Sequence, residues 1–392
     1  MLLVAVPVQV YDLTGSTLAV GLVALTQFVP LVTLTIVGGT IADAIDRRRL
    51  LLLSSTGVIL SLAGFVANAV VGEPQLWAVF GLSFLSWSAY ALGAGAIRSV
   101  TPRLVPLEQL PAAAALNGLY NNLASVVGPA AAGVLIGQIG LGATYAVALA
   151  GALVALWTIH SLPPVPPLEE GARVTFASLA EGFRYVRTQH IVLAIFLIDT
   201  IAMVFGMPMA LFPALAEQTF GNPSAVGYLY AAPAAGAVIA SLLSGWARHV
   251  DRQGIAVVVA ASAWGVAIAA FGFAETLWLA LVLLALAGGA DQISAIYRST
   301  IVLTVTPDRL RGRLGGIEFA QVAGAPALGN LEAGAVASVT SLRFSIVSGG
   351  IACVVGTLLV MAALPQLVAY GARRYVDGAR QPADEGSRTA LP

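Results

Sequence analysis

Lysine is absent from this 392-residue chain, cysteine occurs once, and charged residues of both signs make up only 10% of the total. Each scarcity excludes something. Without lysine there is no nucleotide loop of the GxxxxGK(S/T) type, which argues against a primary ATP-driven pump. The lone Cys353 excludes a disulfide framework and any multi-cysteine metal site within one chain. Three scattered histidines, His160, His190 and His249, and no nucleophile motif on a suitable turn point to no enzyme site, no metal and no cofactor. Basic and acidic residues balance at 19 each, so composition suggests no polyanion partner such as nucleic acid. Soluble domains carry ~25% charged residues; this chain is 58% hydrophobic with a mean hydropathy of +0.90, more apolar than a water-soluble core needs.

What is abundant is apolar sequence in runs of membrane length. A hydrocarbon slab about 30 Å thick needs ~20 mostly apolar residues per helical crossing. Such crossings are placed at residues 18–42, 50–70, 76–98, 111–137, 143–162, 190–213, 225–247, 255–274, 277–301, 314–337 and 343–364. Residues 1–11 are apolar but span only ~16 Å at 1.5 Å per residue. They read as the back half of a helix whose front is lost to a truncated or mis-assigned start. A signal peptide fits poorly, lacking a basic leader and a small-residue cleavage site. Restoring the front predicts twelve helices with both ends, the C-terminus included, in the cytoplasm.

All 19 basic residues are arginines, and on this threading every one but Arg343 falls on one face. Cytoplasmic loops of membrane proteins concentrate basic residues, so the split predicts the orientation. Arg47, Arg48 and Arg49, then Arg98 and Arg103, then Arg173, Arg184 and Arg187 lie inside; the second half repeats the habit with Arg248, Arg252, Arg298, Arg309, Arg311 and Arg313. Asp12, Glu73, Glu217 and Glu275 lie in outer turns.

The chain divides into an N-terminal bundle (1–160), a central cytoplasmic loop (161–189), a C-terminal bundle (190–364) and a tail (365–392) too rich in charge, Pro and Gly from Arg373 onward to bury a core. Four prolines open the central loop and forbid a helix there. Phe176, Leu179, Phe183 and Val186 then recur at helical spacing, predicting an amphipathic helix at the membrane interface. An internal repeat marks the joint: residues 18–39 align with 224–245, so that Gly21 meets Gly227 and Gly39 meets Gly245. Parallel six-helix repeats about an axis along the membrane normal are a transporter architecture.

The turn GGTIADAIDRRR (38–49) resembles the major facilitator loop between helices 2 and 3. Gly39, Asp43, Arg47, Arg48 and Arg49 match, while Ala44 and Asp46 depart from the pattern. The resemblance implies a cytoplasmic gate in which Asp43 faces a helix N-terminus, with Arg98 as a partner; the arginines also read simply as topology anchors. GPAAAG (128–133), with Gly128, Pro129 and Gly133, resembles the helix 5 signature of drug and proton antiporters in this superfamily, although small residues also serve close helix packing. VPVQVYDLTGS, TPRLVPLEQLPAAAALNG, GMPMALFPALAE and TPDRLRGR extend the likeness to the exporter branch of enterobactin and macrolide efflux proteins. It implies an all-α polytopic membrane protein with the major facilitator fold, two pseudo-symmetric six-helix bundles, and a monomer exporting drug-like or siderophore-like molecules against proton re-entry. The substrate does not carry over, because one scaffold moves unrelated compounds.

A charge within the bilayer costs ~2.5 to 3.5 kcal/mol at mid-helix on insertion scales. Asp199 stands ten residues into its crossing with no basic residue in that helix to neutralise it. Desolvation favours the neutral form of a carboxyl group, as a proton carrier requires; a hydrogen bond to Ser or Thr on a neighbouring helix is the structural alternative. Asp291 and Arg298, seven residues apart on one face, read as an ion pair or gate. Glu318 is a second protonation candidate, or a partner of Arg298 or Arg313. Trp87, Tyr90, Asn117, Tyr120, Asn121, Phe205, Met207 and Gln321 are candidates to line an amphipathic cavity. A proton-coupled exporter in the plasma membrane is the leading expectation; an uptake facilitator and a non-transporting degenerate membrane protein are its rivals.

Overall fold

The computed structural model describes residues 1–166 and 176–371, with the side chains of 32, 35–44, 98, 99, 101, 102, 176–180 and 323 left aside. The middle of the central loop and the tail from residue 372 lie outside the described residues. Within them the chain forms only helices and connecting turns: α1 (Leu2–Thr14), α2 (Thr17–Ala44), α3 (Arg47–Val70), α4 (Leu76–Leu104), α5 (Leu110–His160), α6 (Phe176–Thr188), α7 (His190–Phe205), α8 (Phe212–Gln218), α9 (Ala225–Leu242), α10 (Gln253–Phe271), α11 (Leu277–Val305), α12 (Asp308–Val339), α13 (Leu342–Ala363) and the short α14 (Gln366–Ala369), with three 3-10 turns between. Among the described residues eight helical segments are long and apolar enough to cross a membrane.

Local chemistry sets the helix ends. Gly15 closes α1 in the left-handed region at φ 60°, its N–H donating to the Tyr11 carbonyl. The Asp46 carboxylate caps α3 by accepting from the Arg48 and Arg49 amides at 2.8 and 3.4 Å. At Gly140 φ is 83°, where a side chain would be strained, and α5 folds back on itself. Its second limb then runs antiparallel to α3: Gly142 lies against Val70, and the His160 carbonyl accepts from Arg48 Nη2 at 2.5 Å. The 51-residue helix is therefore the two crossings expected at 111–137 and 143–162.

The crossing expected as one helix over 190–213 is broken. Gly206 ends α7, and Pro208 and Pro213, which lack N–H donors, begin a 3-10 turn and α8. Asn330 Oδ1 of α12 accepts from the Ala210 amide (2.8 Å), so a backbone donor freed at the break keeps a partner. The crossing expected over 225–247 likewise ends at Leu242 and finishes as a 3-10 turn.

The two repeats meet where α2 packs on α12 and α5 on α9. Both seams turn on repeat-related glycines. A Cβ on Gly21 would strike the Asn330 carbonyl oxygen, and one on Gly227 the carbonyl of Pro129 and the backbone of Gly133. Membrane helices gain by such close approach of backbones, since lipid supplies no hydrophobic drive between them. Thr17 Oγ1 donates to the Gly334 carbonyl (3.0 Å) and Gln218 Nε2 to Tyr11 Oη (2.5 Å). All these contacts lie toward the end remote from the arginine-bearing turns. Nearer the arginines, residues 114–125 of α5 are exposed on every face.

Candidate functional site

Three helices of the second repeat, α7, α11 and α12, bring polar side chains together inside apolar surroundings. Asp199 of α7 is buried among Ile195, Ile198 and Ala202, and Arg298 of α11 is buried beside Tyr297 and Ile301. Arg298 Nη2 stands 2.8 Å from Asp199 Oδ1, an ion pair whose N–H is not aligned as a hydrogen bond. Nη1 donates to Ser294 Oγ at 2.8 Å, and the same guanidinium reaches Asp291 Oδ1 at 3.4 Å. From α12, Gln321 Nε2 donates both to Asp199 Oδ2 (3.1 Å) and to the Phe196 carbonyl (3.0 Å). One cation thus serves two carboxylates of unequal burial: the Asp199 side chain is 8% exposed and that of Asp291 44%.

Asp199 thus has a basic neutraliser carried by another helix, and of the two readings of Asp291 and Arg298, ion pair or gate, the contact present is the ion pair, with Asp199 as a further partner. Asp291 and Arg298 do share a face of α11. The planar fork of arginine presents several donors at once, and the side chain is long enough to cross to α7. Ser294, one turn before Arg298 on the same face, is a partner that sequence reasoning missed, although its spacing was the available signal. Glu318 is exposed one turn from Gln321 and takes neither expected partner; Arg313 pairs with Glu181 of α6 instead.

The gate residues fall partly outside the described side chains, which is where those of Gly39, Asp43 and Arg98 lie. Arg47 and Arg48 hold the start of the central loop. The Arg47 amide donates to the Val165 carbonyl (3.0 Å) and its Nη1 to that of Pro166 (3.1 Å), which also accepts from Arg103. Pro129 and Gly133 form the seam with Gly227, and Gly128 lies one residue before them.

The cavity candidates fall in separate places. Trp87 and Tyr90 make an edge-to-face pair in α4 with ring centroids 5.6 Å apart. Asn117, Tyr120 and Asn121 lie on the exposed stretch of α5, where Asn121 Nδ2 donates to the Asn117 carbonyl (2.9 Å). Phe205 ends α7, Met207 packs on the core around Leu229 and Trp264, and Gln321 contacts Asp199. A void of about 30 Å³ at the seam is bordered by Gln27, Tyr230 and Asn330; it suits about one water molecule. Gln27 and Tyr230 carried no signal beyond being polar in apolar runs.

The profile of the transmembrane secretion effector family matches residues 1–374. The enterobactin exporter EntS of Shigella boydii is 34% identical over 360 residues, covering 91% of this chain and 86% of that protein. That of Citrobacter koseri has the same identity and coverage. Among solved structures, a point mutant of the nucleoside transporter NupG superposes with a TM-score of 0.74 at 13% identity, covering 92% of this chain and 94% of that one. A POT family transporter in complex with 5-aminolevulinic acid gives 0.72 at 12% identity, covering 93% of each. These structural likenesses establish the fold alone, an all-helical multi-pass bundle, and say nothing of the cargo. The chain belongs to the transmembrane secretion effector family, within the major facilitator transporters.

Proposed function

We propose that the protein exports small drug-like or siderophore-like molecules across the cytoplasmic membrane by proton antiport. The observation that carries this is the Asp199–Arg298 pair, a charged couple held in a membrane-spanning bundle where ionisable groups are costly unless they work. Similarity to enterobactin exporters supports the direction of transport. The arginine-rich end is cytoplasmic, as is the C-terminus, the protein acts as a monomer, and residues 1–160 and 190–364 are the two bundles that rock about the seam.

Asp199 paired with Arg298 is the ionised arrangement. Protonating Asp199 cancels the pair, and Arg298 then rests on Asp291 and Ser294, which already hold it. Breaking a buried pair from one side costs about 3 to 5 kcal/mol, against the ~5.5 kcal/mol that inverts a two-state equilibrium from 1:99 to 99:1. Coupling runs through α12, which carries Gln321 at the pair and Asn330 and Gly334 at the seam with α2. Loosening α7 from α12 frees that seam to part while the opposite end closes. Substrate enters along the exposed polar stretch of α5 at Asn117, Tyr120 and Asn121, and Glu318 and Asp291 pass protons between Asp199 and water.

The test is efflux of a fluorescent drug from vesicles driven by a pH gradient, comparing wild type with Asp199→Asn. Gradient-driven efflux collapses in the variant while expression and substrate binding persist. Undiminished efflux would return Asp199 to a structural role.

A further inference from the structure

The central-loop helix α6 presents two opposed faces. Gly182, Tyr185 and Val186 face the protein: Gly182 sits against Ile317 and Arg313 of α12, Tyr185 Oη donates to the Val305 carbonyl (2.9 Å), and Val186 is buried in the second-repeat core. Glu181 adds ion pairs to Arg309 and Arg313. At about 100° per residue, Arg184 and Arg187 point the opposite way, and Phe183 stands beside them, about 60° round from Val186. All three are exposed, Phe183 at 58%. Neither Arg184 nor Arg187 has an ion-pair partner among the described residues. Among the described residues of this segment the acid is Glu181, which is already engaged.

An aromatic ring beside two arginines that have no ion-pair partner among the described residues, on a helix at the end of a transmembrane bundle, meets two demands at once. The ring suits the acyl boundary and the guanidinium groups suit phosphate oxygens. We propose that this face of α6 binds anionic phospholipid headgroups of the leaflet on the arginine-rich side, so that lipid charge holds α6, and through it the start of α12, against the membrane. The inference rests on the chain being a membrane transporter but not on proton coupling or on the direction of transport. Attraction of a basic side chain to an anionic surface amounts to roughly a fivefold effect per arginine, and it falls off within a Debye length of about 10 Å at 0.1 M salt.

The experiment is hydrogen exchange of residues 176–188 in the full-length protein, in nanodiscs of phosphatidylcholine alone or with phosphatidylglycerol. Amide exchange slows on the order of tenfold in the anionic discs, the effect disappears in Arg184→Gln/Arg187→Gln, and it shrinks at high salt. Phe183→Ser loses protection in both lipids. Equal exchange in both compositions, or anionic-lipid protection that survives in the double variant, would overturn the proposal. Equal protection from added inorganic phosphate in phosphatidylcholine discs would also overturn it, assigning the face to a soluble anion. Because the readout needs no substrate, a failure of proton-coupled efflux leaves this result standing, and the reverse.

Discussion

Gly227 offers the sharpest structural perturbation. In Gly227→Ala the new Cβ would stand 2.5 Å from the Pro129 oxygen, 2.6 Å from Gly133 Cα and 2.7 Å from Gly133 N, where ordinary contact begins at 3.4 Å. Every obstructing atom is backbone, so no side chain can turn aside, and α5 and α9 must part by nearly an ångström. Such overpacking costs about 1 to 3 kcal/mol. If the seam is closed in this conformer and parted in the other, the same energy shifts the equilibrium toward the parted state roughly 5- to 150-fold. Ser224→Cys, placed beside Gly137 at the end of this seam, reports the change through its rate of reaction with an impermeant maleimide in a Cys353→Ser background. Gly227→Ala and Gly133→Ala raise that rate, whereas Gly118→Ala, with nothing within 4 Å of its Cβ, leaves it unchanged. Equal rates in all three variants would refute the reading of α5 and α9 as a closing contact.

Two further outcomes follow from single contacts. Tyr145 Oη donates to Gln9 Oε1 at 2.9 Å between two buried residues; Tyr145→Phe strands the Gln9 carbonyl and costs about 1 to 3 kcal/mol in thermal unfolding in detergent, whereas Gln9→Leu with Tyr145→Phe recovers most of it. A single variant as stable as wild type would contradict this. Glu181 and Arg313 are each about one-third exposed, so water screens their pair and Glu181→Gln costs under about 1 kcal/mol. It speeds amide exchange in α6 by less than about fivefold; complete loss of α6 protection would mean that the ion pairs, rather than Val186 and Gly182, dock the helix.

The crossings were legible because lipid demands long apolar runs, and the repeat was legible because Gly21 and Gly227 do the same work at the two seams. The break after Phe205 was not read as a helix end, because Gly206 and Pro208 inside an apolar run signal a kink or an end equally well, and only Asn330, on another helix, decides between them. The site was half legible. Asp199, Arg298 and Gln321 each stood out as polar residues in apolar helices, but their pairing depends on how α7, α11 and α12 turn toward one another. Spacing along α11 gave Asp291 as the partner of Arg298, and the packing adds the better-buried Asp199 from outside that helix. Aromatic and Asn residues in α4, α5 and α7 could not be grouped from sequence, since ordinary packing uses the same types.

The central claim is that Asp199 exchanges a proton for each passage of substrate. Its most direct measurement is proton counterflow in proteoliposomes: an outward substrate gradient is imposed and internal pH is followed with a trapped dye. Wild type acidifies the lumen as substrate leaves, and Asp199→Asn moves substrate downhill with no change in pH. Substrate movement without a pH change in wild type, or counterflow that persists in Asp199→Asn, would contradict the account.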